Sequence, residues 1–207
     1  MNKTAPNEKP TTDLETIWEG IYSAEGDRHK NEFPSEVVVS WTKRNFSAGE
    51  LPQRNRLKCL DLGCGWGNNL KFLKEEGFDS FGIDVSDTAI NRLQEDFRGK
   101  VFAGTFVELP FEDEFFDFCI DRSSIQNNGK DEILNALNEV HRVLKPGGRF
   151  FSMMLKEGNT EFETTKFSED ELKDALQDFS SVEVNYLTQT WNHGKVSVSY
   201  YLIDAEK

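Results

Sequence analysis

Residues 59–70 read CLDLGCGWGNNL, an apolar run carrying an acid at Asp61 and then glycines at Gly63, Gly65 and Gly67. Glycine adopts positive φ freely and lets another molecule approach the main chain closely. Between a strand and a helix, such a loop floors a nucleoside-cofactor site at the carboxyl end of a sheet. An acid about twenty residues further on, at the end of the next strand, can accept hydrogen bonds from ribose hydroxyls. Asp84, in FGIDVS, stands in that place. A dinucleotide fingerprint is G-x-G-x-x-G, with its last glycine beside the pyrophosphate. Here the order is G-x-G-x-G, with Asn68 where that third glycine belongs. Asp61 is also awkward beside a pyrophosphate and suits a cationic ligand.

The elements that position these residues follow from periodicity. LKCLDL, DSFGIDV, KVFAG, FFDFCID and GRFFSMML read as buried strands. NNLKFLKEEG reads as a helix ending at Gly77, and SDTAINRLQEDF as a helix capped by its Ser. DEILNALNEVHRVL sets Ile133, Leu137, Val140 and Leu144 on one stripe, and Ser168 with Glu171 forms a capping box before ELKDALQDF. Ahead of them, TDLETIWEGIY is helical in period, and Pro34 in a first turn opens a second helix, EVVVSWTKRNF. SVEVNYLTQTW and KVSVSYYLIDA form a terminal hairpin about NHG, and KPGG is a turn into the fifth strand. The fold class expected is therefore α/β, a mostly parallel sheet with an antiparallel strand at one side.

Composition narrows the function. The chain has 207 residues and a formal charge of −13, so a nucleic-acid backbone is a poor partner. It has no apolar run long enough to span a membrane, and MNKTAPNEKPTTD is too polar for a signal peptide. Cys59, Cys64 and Cys119 suit neither a disulfide framework nor a metal pair, and read as reduced thiols of a cytoplasmic protein. No metal is expected. His141 reads as structural and His193 as a hairpin-loop residue.

LDLGCGWGNNL, FGIDVS, LPFEDEFFDFCID and EVHRVLKPGGRF resemble the successive motifs of class I S-adenosylmethionine-dependent methyltransferases, over about Leu57 to Leu155. The resemblance implies a Rossmann-like, seven-stranded sheet with helices on both faces and a C-terminal antiparallel hairpin. It implies S-adenosyl-L-methionine as cofactor and S-adenosyl-L-homocysteine as product. Asp61, Gly63, Cys64 and Gly65 would line the methionine end, Asp84 the ribose, and Val85 the adenine. Many relatives place an acid after the third strand for the adenine amino group; here GTFVELPF puts Thr105 there, followed by Phe106. Asp121, with Arg122 and Ser123, falls at the end of the fourth strand, beside the expected methyl donor. Residues 1–10 read as a disordered tail, 11–50 as a helical cap or lid, and 51–207 as the core. Within that cap, Trp18 and Tyr22 could pack on the sulfonium, and His29 could serve as a general base. The implied acceptor is a small molecule. A catalytically silent binding protein stays open, as does a nicotinamide-dependent oxidoreductase, which Asn68 and the hairpin argue against.

Overall fold

A computed structural model describes residues 14–24, 33–46, 56–158, 164–191 and 194–207. The expected tail over 1–10, His29 and His193 lie outside the described residues. Seven strands, β1 (Lys58–Leu62), β2 (Asp79–Asp84), β3 (Val101–Ala103), β4 (Phe116–Arg122), β5 (Leu144–Glu157), β6 (Ser181–Trp191) and β7 (Val196–Glu206), make one sheet in the order β3-β2-β1-β4-β5-β7-β6. β3 through β5 pair in parallel, and β7 pairs antiparallel with both β5 and β6. The seven-stranded sheet and its terminal hairpin are as expected.

Six α-helices among the described residues accompany it: α1 (Leu14–Ala24), α2 (Glu36–Phe46), α3 (Asn68–Glu75), α4 (Asp87–Phe97), α5 (Lys130–Val143) and α6 (Glu169–Ala175). Local chemistry accounts for their ends. Ser86 caps α4 by accepting from the Ala89 N–H at 3.2 Å. Ser168 and Glu171 form the expected capping box on α6. Gly77, at φ +91°, follows α3 and turns the chain toward β2. Pro34 stands two residues ahead of α2 rather than in its first turn, where it sets the approach to the helix.

Alternating strand residues feed two apolar layers. Leu60 and Leu62 of β1, Cys119 of β4 and Phe150 of β5 face the stripe of α5 and Leu172 of α6. Cys59, Phe118, Ile120 and Phe151 face Val38 and Trp41 of α2 and Leu73 of α3. Helices thus cover both faces, the arrangement that parallel strands require. His141 packs edge-on against Phe179 at 5.1 Å, the structural role expected of it. KPGG differs from expectation: it lies within β5, where pairing with β4 slips between Phe116 and Phe118. Gly147, at φ +74°, donates its N–H to the Lys207 carbonyl at 2.9 Å, so the C-terminal residue holds this stretch in the sheet. No helix among the described residues is long and apolar enough to cross a membrane.

Phe118 ties the helical layer to the sheet. It is fully buried, stacks on Phe46 at 4.5 Å and meets the edge of Phe78 at 5.0 Å. Phe118→Ala is expected to cost about 3–5 kcal/mol, the usual range for a large-to-small change in a packed core. Urea denaturation measures it, and a loss under about 1 kcal/mol would mean that α2 contributes little to the core.

Candidate active site

β1 and β4 are neighbours, yet the chain leaves them in opposite directions across the sheet, which opens a crevice at their carboxyl ends. A cavity of about 280 Å³ lies there. Its floor is Gly63, Cys64 and Gly65, its β2 side Asp84 and Val85, and its β4 side Arg122, Ser123 and Ser124, with Asn127 and Asn128 beyond. Leu14, Trp18 and Tyr22 of α1 line it as well.

Asp84 shapes the floor. It is 6% exposed, and its two oxygens accept from the N–H of Gly65 at 2.9 Å and of Ser86 at 3.0 Å. Burial pushes its carboxyl above the usual range, and these backbone donors pull it back. Gly65 stands at φ +48°, and a Cβ there would run into the Tyr22 hydroxyl. Conformation and close approach therefore both demand glycine at this position.

The other expected residues divide. Val85 and Phe106 join Cys64 in the wall. Thr105 is exposed and outside the wall, and makes no hydrogen bond among the described residues. Asp121 is also outside the wall: it is fully buried and turned into the protein. Its Oδ1 accepts from the N–H of Ser124 at 2.8 Å and of Ile125 at 3.1 Å, and its Oδ2 from Ser152 Oγ at 2.6 Å. It thereby fixes the loop after β4. Asp61 is 1% exposed, with one oxygen lacking any hydrogen-bond partner. Burial first, then the charges of Asp121 and Asp84, hold its carboxyl well above the usual range.

The N-terminal helices are fastened to this site by contacts that periodicity does not reveal. Glu19 of α1 accepts from Ser86 Oγ at 2.6 Å, the Thr88 N–H at 3.1 Å and the Thr88 hydroxyl. It occupies the N-terminus of α4, where a carboxylate is favoured by the exposed N–H groups and the helix dipole. These hydrogen bonds hold its carboxyl below the usual range. Asn68 donates to the Phe33 carbonyl at 2.8 Å, and Asn69 accepts from the Ser35 N–H at 2.9 Å. The two asparagines after the glycines thus anchor the approach to α2. Tyr22 meets Trp66 edge-on at 5.2 Å, and Arg92 lies 4.0 Å over the Trp66 ring. Burial, then the charges of Asp84, Cys64 and Asp61, push the Tyr22 hydroxyl up, so it keeps its proton at neutral pH and can donate but not act as a base. Trp66, Asn68 and Asn69 stand within the glycine motif, where Asn68 marked the loop class but none of the three signalled its contacts with the N-terminal helices. The stretch from Ser124 to Asn128 was legible only as a neighbour of a motif, and Glu19 carried no signal.

The arrangement fits a nucleoside bearing a cation. Bare backbone forms the floor and a carboxylate stands at the β2 side; Asp61 is buried outside the wall, and a positive charge nearby would offset the desolvation of its unpartnered oxygen. Among the described residues no cluster of His, Cys, Asp and Glu could hold a metal ion.

Residues 60–152 match the family described as "Methyltransferase domain". A sarcosine/dimethylglycine N-methyltransferase of Aphanothece halophytica is 36% identical over 101 residues, covering 45% of this chain and 36% of that protein. A demethylmenaquinone methyltransferase of Staphylococcus aureus is 31% identical over 151 residues, covering 70% of this chain and 61% of that protein. The matches thus span about a third to three fifths of the length of these curated relatives. The structure of Burkholderia thailandensis 1,6-didemethyltoxoflavin-N1-methyltransferase, with bound 1,6-didemethyltoxoflavin and S-adenosylhomocysteine, superposes with a TM-score of 0.71. It is 19% identical and the overlap covers 99% of this chain and 93% of that one, a likeness of fold.

The burial of Asp121 has a consequence for stability. Desolvation, only partly offset by its hydrogen bonds, pushes its carboxyl from the ordinary 3.8 up to about 6. The folded protein then holds this proton longer than the unfolded chain, so the residue's contribution to stability falls as pH rises from about 4 to about 6. Asp121→Asn keeps an oxygen for the two backbone donors and removes the titration. Unfolding free energies of wild type and variant should therefore diverge in the variant's favour by up to about 3 kcal/mol across that window. Parallel pH profiles would show that Asp121 titrates normally in the fold.

Proposed function

This chain belongs to the class I S-adenosylmethionine-dependent methyltransferase family, and from that premise we propose that it moves the methyl group of S-adenosyl-L-methionine to a small-molecule acceptor, releasing S-adenosyl-L-homocysteine. The observation that carries the reading is the Gly63–Gly67 loop, tied at Gly65 to Asp84 and opening on a cavity at the β1–β4 switch point. The cavity is of small-molecule size, and an excess of acidic residues disfavours a nucleic-acid acceptor. The relatives named for sarcosine, dimethylglycine and demethylmenaquinone support a small acceptor too. Three buried free thiols suit a reducing compartment, and the cytoplasm is the proposed location.

When bound, the cofactor supplies an activated methyl group on a sulfonium; the protein's part is alignment and exclusion of water. The bare backbone of Gly63 and Gly65 admits close approach. Asp84 retains lone pairs for the ribose hydroxyls beyond those its backbone donors use. Val85 and Phe106 offer apolar surface for the adenine, and Asp61 a negative counterpart for the amino-acid end. Trp18, Tyr22 and Trp66 shield the reacting centre. α1 and α2 act as a cap on the core, held to it by Glu19 and by Asn68 and Asn69. Removing a proton from the acceptor, where that is needed, falls to a group other than Tyr22.

Calorimetry with S-adenosylmethionine, S-adenosylhomocysteine and NAD tests the cofactor, and transfer of labelled methyl into pooled metabolites tests the reaction. Tighter binding of NAD than of either sulfur compound would overturn the assignment. Asp84→Ala should weaken S-adenosylhomocysteine by roughly ten- to a hundredfold, the loss of a charge-assisted hydrogen bond together with the loop clamp. Thr105→Val should leave that affinity within about twofold, because the side chain stands outside the wall. A large loss at Thr105 would place the adenine edge against it.

A further inference from the structure

We infer that Arg122 binds a carboxylate on the acceptor, so that the molecule methylated is a small carboxylic acid; this rests on the methyl-transfer reading above. Among the described residues lining the cavity, only Asp84 and Arg122 are charged. The two oxygens of Asp84 already receive the N–H groups of Gly65 and Ser86. The Arg122 side chain is exposed at the cavity wall and makes no hydrogen bond or ion pair with any described residue, although its charge acts on neighbouring Asp121. Arg142 is committed to Glu139 and Asp113 and Arg149 to Asp204, whereas Arg44 and Arg98, with no such partner among the described residues, lie outside the cavity wall; the place of Arg122 in that wall is what sets it apart. An arginine left unpaired in a cavity wall, where the chain has 37 acids to 24 bases, is a site for a planar anion brought from outside.

Topology assigns that anion to the acceptor rather than to the nucleoside. β2 and β4 lie on opposite sides of β1, so Asp84 and Arg122 flank the glycine loop about two strand spacings apart, roughly 10 Å. The nucleoside belongs on the β2 side, with Asp84, Val85 and Phe106. Arg122 belongs to the other side, in the company of neutral hydrogen-bonding groups on Ser124, Asn127 and Asn128.

Its position is also fixed in advance. Arg122 is the last residue of β4, and Ser123 follows at φ +60°, a conformation that a non-glycine residue holds only when its surroundings enforce it. Ser123 Oγ donates to the Met153 carbonyl at 3.0 Å, while Asp121 holds the N–H groups of Ser124 and Ile125. The backbone that carries the guanidinium is thus braced on both sides, as a residue that orients a substrate requires.

The test uses full-length protein saturated with S-adenosylhomocysteine, titrated with sarcosine, benzoate and acetate and with the primary amide of each. Wild type should bind at least one acid saturably and its amide at least about tenfold more weakly, the discrimination expected of a charge-assisted pair. Arg122→Gln should abolish that preference while leaving the affinity for S-adenosylhomocysteine unchanged, and Arg122→Lys should restore part of it. No preference for any acid over its amide would overturn the proposal. So would a fall in S-adenosylhomocysteine affinity in Arg122→Gln, which would give the arginine to the carboxylate of the cofactor itself. Failure of S-adenosylhomocysteine to bind wild type is a separate result and would sink the methyltransferase reading instead.

Discussion

The N–H of Gly65 lies in a loop that belongs to neither helix nor strand, and its acceptor is the carboxylate of Asp84, 2.9 Å away. Much of the site depends on that bond. It joins the end of β2 to the loop leaving β1 and keeps the floor of the cavity as open backbone. Asp84 gives up water to do this, which two backbone donors make tolerable. A loop free to close on itself would present no surface for a nucleoside.

The same bond begins a chain that reaches the N-terminal helices. Ser86 donates its N–H to Asp84, accepts from Ala89 to cap α4, and donates its hydroxyl to Glu19 of α1. Each group in the series therefore has at least two partners. α1 has no fully buried residue, and this polar contact and the aromatic contact of Tyr22 with Trp66 help to hold it.

Three buried acids, Asp61, Asp84 and Asp121, stand near the carboxyl ends of three adjacent strands. Desolvation raises all three, and the charges of Asp84 and Asp121 raise Asp61 further. Asp84 and Asp121 are reconciled to burial by backbone donors; Asp61 is not fully so. That imbalance favours a positive ligand group at this end of the sheet, while Arg122 at the β4 side favours a negative one.

The strands and helices, their caps and the glycine loop were legible in the sequence, because each rests on interactions within a few residues. A period of two or of 3.6 marks a buried face, Ser86 and Ser168 satisfy N–H groups one turn away, and Asn68 in place of a third glycine separates one loop class from another. The motifs also pointed to Asp84. What they left undecided was the direction in which each polar side chain would turn. Asp121 faces inward to Ser152 and Thr105 faces solvent, although both occupy motif positions. Glu19 meets Ser86 across 67 residues and Asn69 meets Ser35 across 34. Periodicity specifies which face of an element is buried, but a polar side chain takes its partner from whichever element the fold sets beside it, and only the packed sheet and its helices decide that.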